Sequence, residues 1–188
     1  MSTNRLEELM KIVIVYESMF GNTRQIAEAI AEAEKDLALV SVVNVNEITP
    51  AVLANADAVI VGAPTHAHSL SRPETRAEAA KEASDPEQGL TLEPKASETG
   101  VREWLASKPD VPAYFAAFDT RADVPRVLSG AASAKIDRKL LKLGAKRLVD
   151  AESFLVKDNR LERDEQDRAA AWGLRVAQAA EKQLAHAR

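Results

Sequence analysis

The sequence predicts an α/β protein with a mainly parallel central sheet. Short apolar runs alternate with segments of helical periodicity along most of the chain, which is typical of repeated strand and helix units. Val, Ile and Ala fill the first four runs almost continuously, as strands buried on both faces require. The chain has 188 residues, which is enough for one well-buried domain and short for two. We therefore expect a single domain over residues 10–188, preceded by a flexible or expression-derived extension over residues 1–9.

The predicted elements follow one another in a regular order. Five apolar runs predict strands at Ile12–Tyr16, Val40–Val45, Ala58–Val61, Ala113–Phe118 and around Leu148–Val156. Five segments with helical spacing predict helices at Thr23–Glu34, Arg72–Glu82, Gly100–Ser107, Ser133–Leu143 and Glu162–Ala185. The last helix has an apolar stripe suited to packing on the sheet, and we expect Trp172 on that stripe to lie in the core. The long irregular segment Asp85–Thr99 could lie near the functional site as a mobile flap.

Composition excludes several classes of function. The net charge is −4, whereas a nucleic-acid-binding protein needs clustered excess Lys and Arg to neutralise phosphates. The chain has no cysteine, so it holds no disulfide, iron–sulfur cluster or thiol nucleophile, which suits a reducing compartment. No apolar run approaches transmembrane length, and the first residues lack the apolar region of a secretory signal. We expect a cytoplasmic protein that binds neither nucleic acid nor membrane.

The segment Lys11–Glu34 carries the most informative motif. The apolar run Ile12–Tyr16 stops at the turn Ser18-Met19-Phe20-Gly21-Asn22-Thr23, and helical spacing begins directly after it. A strand, a tight loop and a helix in this order present backbone N–H groups at a helix N-terminus to a phosphate. Glycine lets the backbone turn, and the Ser, Asn and Thr side chains add donors. The motif predicts a site for a phosphate-bearing cofactor, although it matches neither GxxxxGK[ST] nor G-x-G-x-x-G.

Two further loops follow predicted strands. The second loop, Gly62-Ala63-Pro64-Thr65-His66-Ala67-His68-Ser69-Leu70, comes directly after the third strand. The third loop, Asp119-Thr120-Arg121-Ala122, closes the fourth strand. In open α/β sheets, ligands bind outside the carboxyl ends of the strands, where the strand order reverses. We therefore expect all three loops to meet at one edge of the sheet.

These motifs resemble those of the flavodoxin family. Ser18, Gly21 and Thr23 fit its phosphate loop, roughly [ST]-x-[ST]-G-x-T, whereas Phe20 replaces a usual hydroxyl. Residues 62–65, GAPT, fit the family's G-x-P-T opening of the second loop. The resemblance implies a flavodoxin-like three-layer sandwich, in which a five-stranded parallel sheet in the order 2-1-3-4-5 has helices on both faces. It also implies non-covalently bound FMN as the cofactor.

The resemblance further implies which residues contact that cofactor. In the family the first loop grips the FMN phosphate, the second packs against the isoalloxazine ring, and the third supports the pyrimidine side or outer edge of the flavin. The expected cofactor-binding residues are therefore Ser18, Met19, Phe20, Gly21, Asn22, Thr23, Pro64, Thr65, His66, Ala67, His68, Asp119, Thr120 and Arg121. No catalytic residue is predicted.

The contacts to the flavin ring are the least defined part of this prediction. Flavodoxins usually hold the ring between aromatic side chains, commonly Trp and Tyr, but the second and third loops contain neither. His66, His68 or Leu70 must then face the ring, or Trp104 must reach in from the crossover helix. The two histidines could instead be plain loop surface or metal ligands; because no third ligand lies nearby in sequence, we predict no metal site.

Charges in the third loop leave two interpretations open. Arg121 could stabilise negative charge on a reduced flavin and raise its potential, with Asp119 acting in the opposite direction. Arg121 could equally be a solvated surface charge.

The favoured function is electron transfer by a bound FMN, with redox partner proteins or a small-molecule electron acceptor as partners. One alternative is an FMN-dependent NAD(P)H or quinone oxidoreductase, because the Ser-Met-Phe-Gly wording is similar to the quinone oxidoreductase branch of flavodoxin-like proteins. Two observations argue against this alternative. The third loop lacks the glycine-rich sequence expected from a resemblance to that branch, and no nicotinamide-binding site can be recognised in the sequence. Another alternative is a flavin-free regulatory or interaction domain that keeps the fold. The sequence leaves the oligomeric state open.

Overall fold

The computed structural model describes residues 9–187, and residues 1–8 of the predicted extension lie outside this range. The strands are β1 Met10–Tyr16, β2 Ala38–Asn44, β3 Ala58–His66, β4 Ser69–Leu70, β5 Tyr114–Ala122, β6 Lys146–Arg147, β7 Glu152–Lys157 and β8 Arg160–Leu161. The helices are α1 Asn22–Glu34, α2 Pro50–Ala54, α3 Pro73–Ala83, α4 Val101–Ala106, α5 Arg126–Ser129, α6 Ala132–Lys142 and α7 Glu165–Ala187. The five predicted strands and five predicted helices each have a counterpart.

The sheet has the predicted strand order. Strands β2, β1, β3, β5 and β7 lie side by side in that order and all run parallel, which is the order 2-1-3-4-5 for the five main strands. The short strand β8 pairs antiparallel with β7 and forms the edge. Because every main connection crosses over, the carboxyl ends of β1, β3, β5 and β7 meet at one edge, and this edge carries the three loops.

Helices cover both faces of the sheet and create two separate cores. On one face, Ile26 and Ile30 of α1 pack with Trp172 and Val176 of α7 against the strands. On the other face, α4 and α6 supply a second buried set, which includes Trp104. The fold is thus the predicted three-layer α/β sandwich. The ring of Trp172 lies edge-on to Phe118 and Phe154, so the prediction that it belongs to the core is confirmed.

Several short elements differ from the prediction. Helices α2 and α5 and strands β4, β6 and β8 span two to five residues, which is too short to leave a periodic pattern in the sequence. The last helix begins at Glu165 and not at Glu162, because Arg160 and Leu161 turn back to pair with β7. The predicted fifth strand is interrupted, since the chain between β6 and β7 leaves the sheet before pairing with β5 again. Within residues 9–187, no helix is both long and apolar enough to cross a lipid bilayer.

Candidate functional site

A cavity of about 310 Å³ opens at the carboxyl edge of the sheet, where the three predicted loops meet. Most of the predicted site residues line it, namely Ser18, Met19, Phe20, Asn22, Thr23, Pro64, Thr65, His66, Thr120 and Arg121. Gly21, Ala67, His68 and Asp119 are predicted contacts that do not line it. Ala122, Val156, Asp158 and Asn159 line it in addition. The predicted edge and loops therefore coincide with this cavity, and the cofactor contacts of the four residues outside its lining stay predictions.

The first loop has the geometry of an anion-binding turn. Gly21 takes a left-handed φ of 90° and precedes α1, and its N–H donates to the Ser18 hydroxyl at 3.0 Å. Gly21 has no side chain to cap α1, and the first intrahelical bond runs from the N–H of Gln25 to the Gly21 carbonyl. The N–H groups of Asn22 and Thr23 therefore have no carbonyl partner within the helix. Gly21 does not line the cavity; it forms the turn that leads into α1.

The donors around this loop are neutral and suit a phosphate group. They are backbone N–H groups of the first turn of α1 and the hydroxyls of Ser18 and Thr23, both of which are buried side chains. Arg24, in the first turn of α1, is already paired with Glu93 at 2.9 Å and with Glu28 at 2.8 Å. The donor set therefore fits a phosphate held by helix-terminal amides and hydroxyls, without a dedicated charged clamp.

Met19 and Phe20 occupy different environments within the first loop. Met19 is buried against Ala79 and Ala96, and its carbonyl accepts from the N–H of Glu93 at 2.8 Å. The irregular crossover segment predicted to lie near the site thus packs under the first loop. Phe20 is half-buried and is the one Phe, Tyr or Trp ring among the residues that line the cavity.

The second loop is a tight β-hairpin formed by β3 and β4. Thr65 pairs with Leu70 and His66 with Ser69, so only Ala67 and His68 form the turn. Both take left-handed φ values, 44° and 68°, as a two-residue turn of this kind requires. The side chains of Ala67 and His68 are exposed and outside the cavity lining, so the structure does not bring these two predicted contacts to the cavity.

His66 is the histidine that reaches the cavity. Burial lowers the pKa of its imidazole, and the positive charge of Arg76 lowers it further. The two other candidates for facing the ring do not line the cavity. Leu70 and Trp104 are buried in the core on the α4 and α6 side of the sheet. Among residues 9–187, no group of three His, Asp or Glu side chains is placed to hold a metal ion.

The third loop divides its residues between the cavity and the core. Asp119 is fully buried, and its Oδ2 accepts from the N–H of Ser133 at 2.8 Å in the first turn of α6. Burial raises the pKa of Asp119, and this hydrogen bond opposes the rise. The Asp119 side chain therefore caps α6 on the opposite face of β5 and does not line the cavity, and its contact with a cofactor stays a prediction. The reason is strand alternation: Thr120, one residue later, faces the cavity.

Arg121 lies at the cavity, but its guanidinium donates hydrogen bonds to the segment that follows the third loop. Its Nη1 donates to the Val124 carbonyl at 2.7 Å and to the Ser129 hydroxyl at 3.1 Å. These bonds fix the guanidinium between the third loop and α5. Arg121 is half-buried and is the one Lys or Arg among the residues that line the cavity, and its effect on a bound flavin stays a prediction.

A fourth segment lines the cavity and was not predicted from the sequence. The hairpin between β7 and β8 places Asp158 and Asn159 at the cavity, both with left-handed φ values. The side-chain amide of Asn22 donates to the Asn159 carbonyl at 3.0 Å, which joins the hairpin to the first loop. The sequence signal that could have predicted this hairpin is the pair Asp158-Asn159 between two short apolar runs, since such pairs favour two-residue hairpin turns.

Comparison with known proteins agrees with this architecture. A family model described as a flavodoxin domain matches residues 13–76, which contain the first and second loops. A flavodoxin from the domain Archaea aligns over 92% of this chain and 99% of its own, with 20% identity and a TM-score of 0.63. Flavodoxin 1 from Bacillus cereus aligns over 89% of this chain and 97% of its own, with 17% identity and a TM-score of 0.63.

A third solved structure, a flavodoxin, WrbA-like protein from Agrobacterium tumefaciens, aligns over 92% of this chain and 98% of its own, with 21% identity and a TM-score of 0.60. Comparison with curated proteins gives no match. The family model covers about the first third of the chain, and the likeness in fold covers nearly all of it. The chain therefore has a flavodoxin-like fold, and its residues 13–76 match the flavodoxin domain, in agreement with its loop motifs.

Proposed function

We propose that this chain binds FMN non-covalently in the cavity and acts in electron transfer. The observation that carries the proposal is the first loop, where uncapped helix-terminal amides and two buried hydroxyls face a cavity shared with the second and third loops. Its volume of about 310 Å³ is at the lower end for a small-molecule site, which suits a ligand that is partly exposed. Flavodoxins, which share this fold, are FMN-binding proteins.

The residues have distinct parts in this proposal. Ser18, Thr23 and the first amides of α1 would hold the phosphate, while Pro64–His66 and Thr120–Arg121 would flank the ring. Bound FMN supplies chemistry that accepts and donates one or two electrons. The charge of Arg121 would favour the reduced, more negative flavin and so raise its potential. Proposed partners are redox proteins or a small-molecule acceptor in a reducing, cytoplasmic compartment, which the absence of cysteine suits.

Titration of the purified protein with FMN and with riboflavin tests the cofactor. We expect one FMN per chain and tighter binding of FMN than of riboflavin, because only FMN carries the phosphate. Stepwise reduction of the FMN complex under nitrogen then tests whether the bound flavin takes up electrons reversibly. A protein that binds neither ligand and is purified without flavin absorbance would be a flavin-free interaction domain instead.

A second candidate is an FMN-dependent NAD(P)H or quinone reductase. The observation that favours it is the lack of any Phe, Tyr or Trp on the second and third loops, which leaves a ring face open to a second substrate. We favour the carrier because Arg121 is the one cation among the residues that line the cavity, whereas a dinucleotide carries several phosphate charges. Anaerobic mixing of the FMN complex with NADH or NADPH separates them, since rapid bleaching of the flavin band without an added reductase would establish the reductase.

A further inference from the structure

A buried polar cluster lies directly behind the first loop, outside the cavity. It consists of Glu17, Ser71, Arg76 and Glu103, together with the backbone of α4 at Gly100 and Val101. The side chains of Glu17 and Arg76 are almost completely enclosed, and each residue is only 3% exposed. Buried charges are costly unless they are paired, so such a cluster indicates a specific structural task.

Glu17 is the member that belongs to the candidate site by position. It follows β1 and immediately precedes Ser18, and its N–H donates to the Gly62 carbonyl at 3.0 Å. This bond fixes the backbone between β1 and the strand that leads to the second loop. The side chain leaves the cavity and turns toward the crossover between β3 and β5.

The Glu17 carboxylate joins two parts of that crossover. One oxygen accepts from the Ser71 hydroxyl, directly after β4, and the other accepts from the N–H of Val101 at 2.7 Å. Val101 is the first residue of α4, and Gly100 before it has no side chain to act as a cap. Glu17 therefore supplies a cap for this helix from a position 84 residues away in sequence.

The surroundings are shaped to keep this contact. A Cβ atom at Gly100 would lie 2.8 Å from Glu17 Oε2 and 2.6 Å from Arg76 Nη1, so a side chain there would displace both groups. Arg76 Nη1 donates to the Ser71 hydroxyl at 2.9 Å and pairs with Glu103 at 3.1 Å. Burial raises the pKa of Glu17, while its hydrogen bonds and the charge of Arg76 act in the opposite direction.

The crossover thus holds the first loop at two separate points. The first is Glu17 to Val101, and the second is the N–H of Glu93 to the Met19 carbonyl at 2.8 Å. Ser18 lies between the two anchors, and Gly21 follows the second by two residues. A loop fixed in this way does not have to become ordered when it binds a phosphate. This preorganisation lowers the entropic cost of binding and so increases the affinity.

We infer that Glu17 is a positioning residue for phosphate: by joining the first loop to Ser71 and to the N-terminus of α4, it sets the loop in the shape that recognises the phosphate of the cofactor. This inference rests on the proposed function for its ligand. Glu17 touches no ligand itself and acts through Ser18 and the amides that follow.

The test compares Glu17→Ala and Glu17→Gln with a matched variant, Glu103→Gln. Glu103 pairs with Arg76 and accepts from the N–H of Gly100, and within residues 9–187 no hydrogen bond or ion pair joins it to the first loop. We expect Glu17→Ala to weaken FMN about tenfold or more and riboflavin less than about threefold, because an unanchored loop loses preorganised donors to the phosphate. Glu17→Gln retains an acceptor for Val101 and should have a smaller effect. Glu103→Gln should leave the ratio of the two affinities unchanged.

Hydrogen exchange of the ligand-free protein provides an independent readout. The amides of residues 18–23 should exchange faster in both Glu17 variants than in the wild type, and should be unaffected in Glu103→Gln. Variants that lose thermal stability but keep the FMN-to-riboflavin ratio and the exchange rates would overturn the inference. If Glu17→Ala fails to fold, Glu17→Gln and Ser71→Ala decide the same question. A wild type that does not bind FMN would refute the proposed function, and the exchange data would still decide the anchoring role.

Discussion

Thr23 and Thr120 share a hydrogen bond in which their hydroxyl oxygens are 2.7 Å apart. Thr23 belongs to the first loop and Thr120 to the third, and both side chains are nearly buried beside the cavity. One hydroxyl donates to the other, so a proton of the pair remains available to a ligand. The two loops are therefore joined at the residue that the sequence predicts to bind phosphate.

The first prediction concerns this hydroxyl. Thr23→Ala should weaken FMN more than riboflavin, because only FMN has the phosphate that the hydroxyl contacts. Loss of one hydrogen bond to a charged group costs roughly 1.5–3 kcal/mol, which is about ten- to a hundredfold in affinity. Thr23→Ser retains the hydroxyl and serves as the control. Equal weakening of both ligands by Thr23→Ala, measured by fluorescence titration, would refute the phosphate role.

The second prediction separates the two histidines of the second loop. His66 lines the cavity and His68 lies in the exposed turn, so His66→Ala should change the flavin absorbance or affinity and His68→Ala should change neither. Metal content should be the same in the wild type and in both variants. Stoichiometric Zn²⁺ in the wild type that is lost in either variant would show that the histidines are ligands.

The third prediction concerns the protonation of His66. Burial and the charge of Arg76 lower its pKa below 6.5, so the folded protein disfavours the imidazolium more than the unfolded chain does. The sign follows by linkage: stability is full above pH 6.5 and falls as the pH drops through and below this value. An NMR titration of the ligand-free protein should give a midpoint below 6.5 for His66. A midpoint above 6.5 would contradict the burial that the structure gives it.

The fourth prediction explains why the second loop opens with glycine. Gly62 and Phe118 are cross-strand partners on β3 and β5, and a Cβ atom at Gly62 would overlap the Phe118 ring. Gly62→Ala should therefore destabilise the fold by about 3 kcal/mol through overpacking. Combining it with Phe118→Leu should cost less than the sum of the two single changes, by about 1 kcal/mol or more. Additive losses in urea unfolding would rule out the steric explanation.

The loops were predictable from the sequence because their requirements are local. A turn that needs Gly21 at positive φ, followed by a helix of apolar periodicity, is legible in a window of a few residues. Main strands such as β1 and β3 were equally legible because both of their faces are buried. These features fixed the fold class and the edge of the sheet that carries the site.

The remainder depends on contacts between residues far apart in the chain. Asp119 faces α6 and not the cavity because Ser133 offers an N–H there, which no local pattern announces. The β7–β8 hairpin reaches the site through the pairing of β7 with β5 and a bond to Asn22 from a position 137 residues away. The same is true of Glu17, whose partners are 54 and 84 residues away. From the sequence alone, a carboxylate such as Glu17, between an apolar strand and a hydroxyl-rich loop, would be predicted to lie at the surface. Its burial becomes evident only from the position of the crossover in the fold.

The last prediction concerns Glu34, a buried carboxyl that has no role in the proposed binding of FMN. Ile30 packs closely against Gly173 of α7, and Glu34 lies one turn further along the same face of α1. Glu34 is fully buried, and neither of its carboxyl oxygens has a hydrogen-bond partner among the described residues. Burial raises the pKa of Glu34 from 4.5 to about 8. The carboxyl is therefore neutral in the folded protein at pH 7 and ionised in the unfolded chain.

The stability of the protein should consequently depend on pH through this group. Below pH 4.5 Glu34 is protonated in both the folded and the unfolded state, so it causes no loss of stability. As the pH rises toward 8, Glu34 loses its proton in the unfolded chain and keeps it in the folded protein, so the free energy of unfolding falls. The loss between pH 5 and pH 8 should be on the order of 3 kcal/mol. Glu34→Gln removes the ionisation and should flatten this fall, while Glu32→Gln, at an exposed position of the same helix, controls for the change in charge. Urea unfolding across this pH range measures the difference, and parallel profiles for the wild type and Glu34→Gln would show that the carboxyl is solvated or paired in solution.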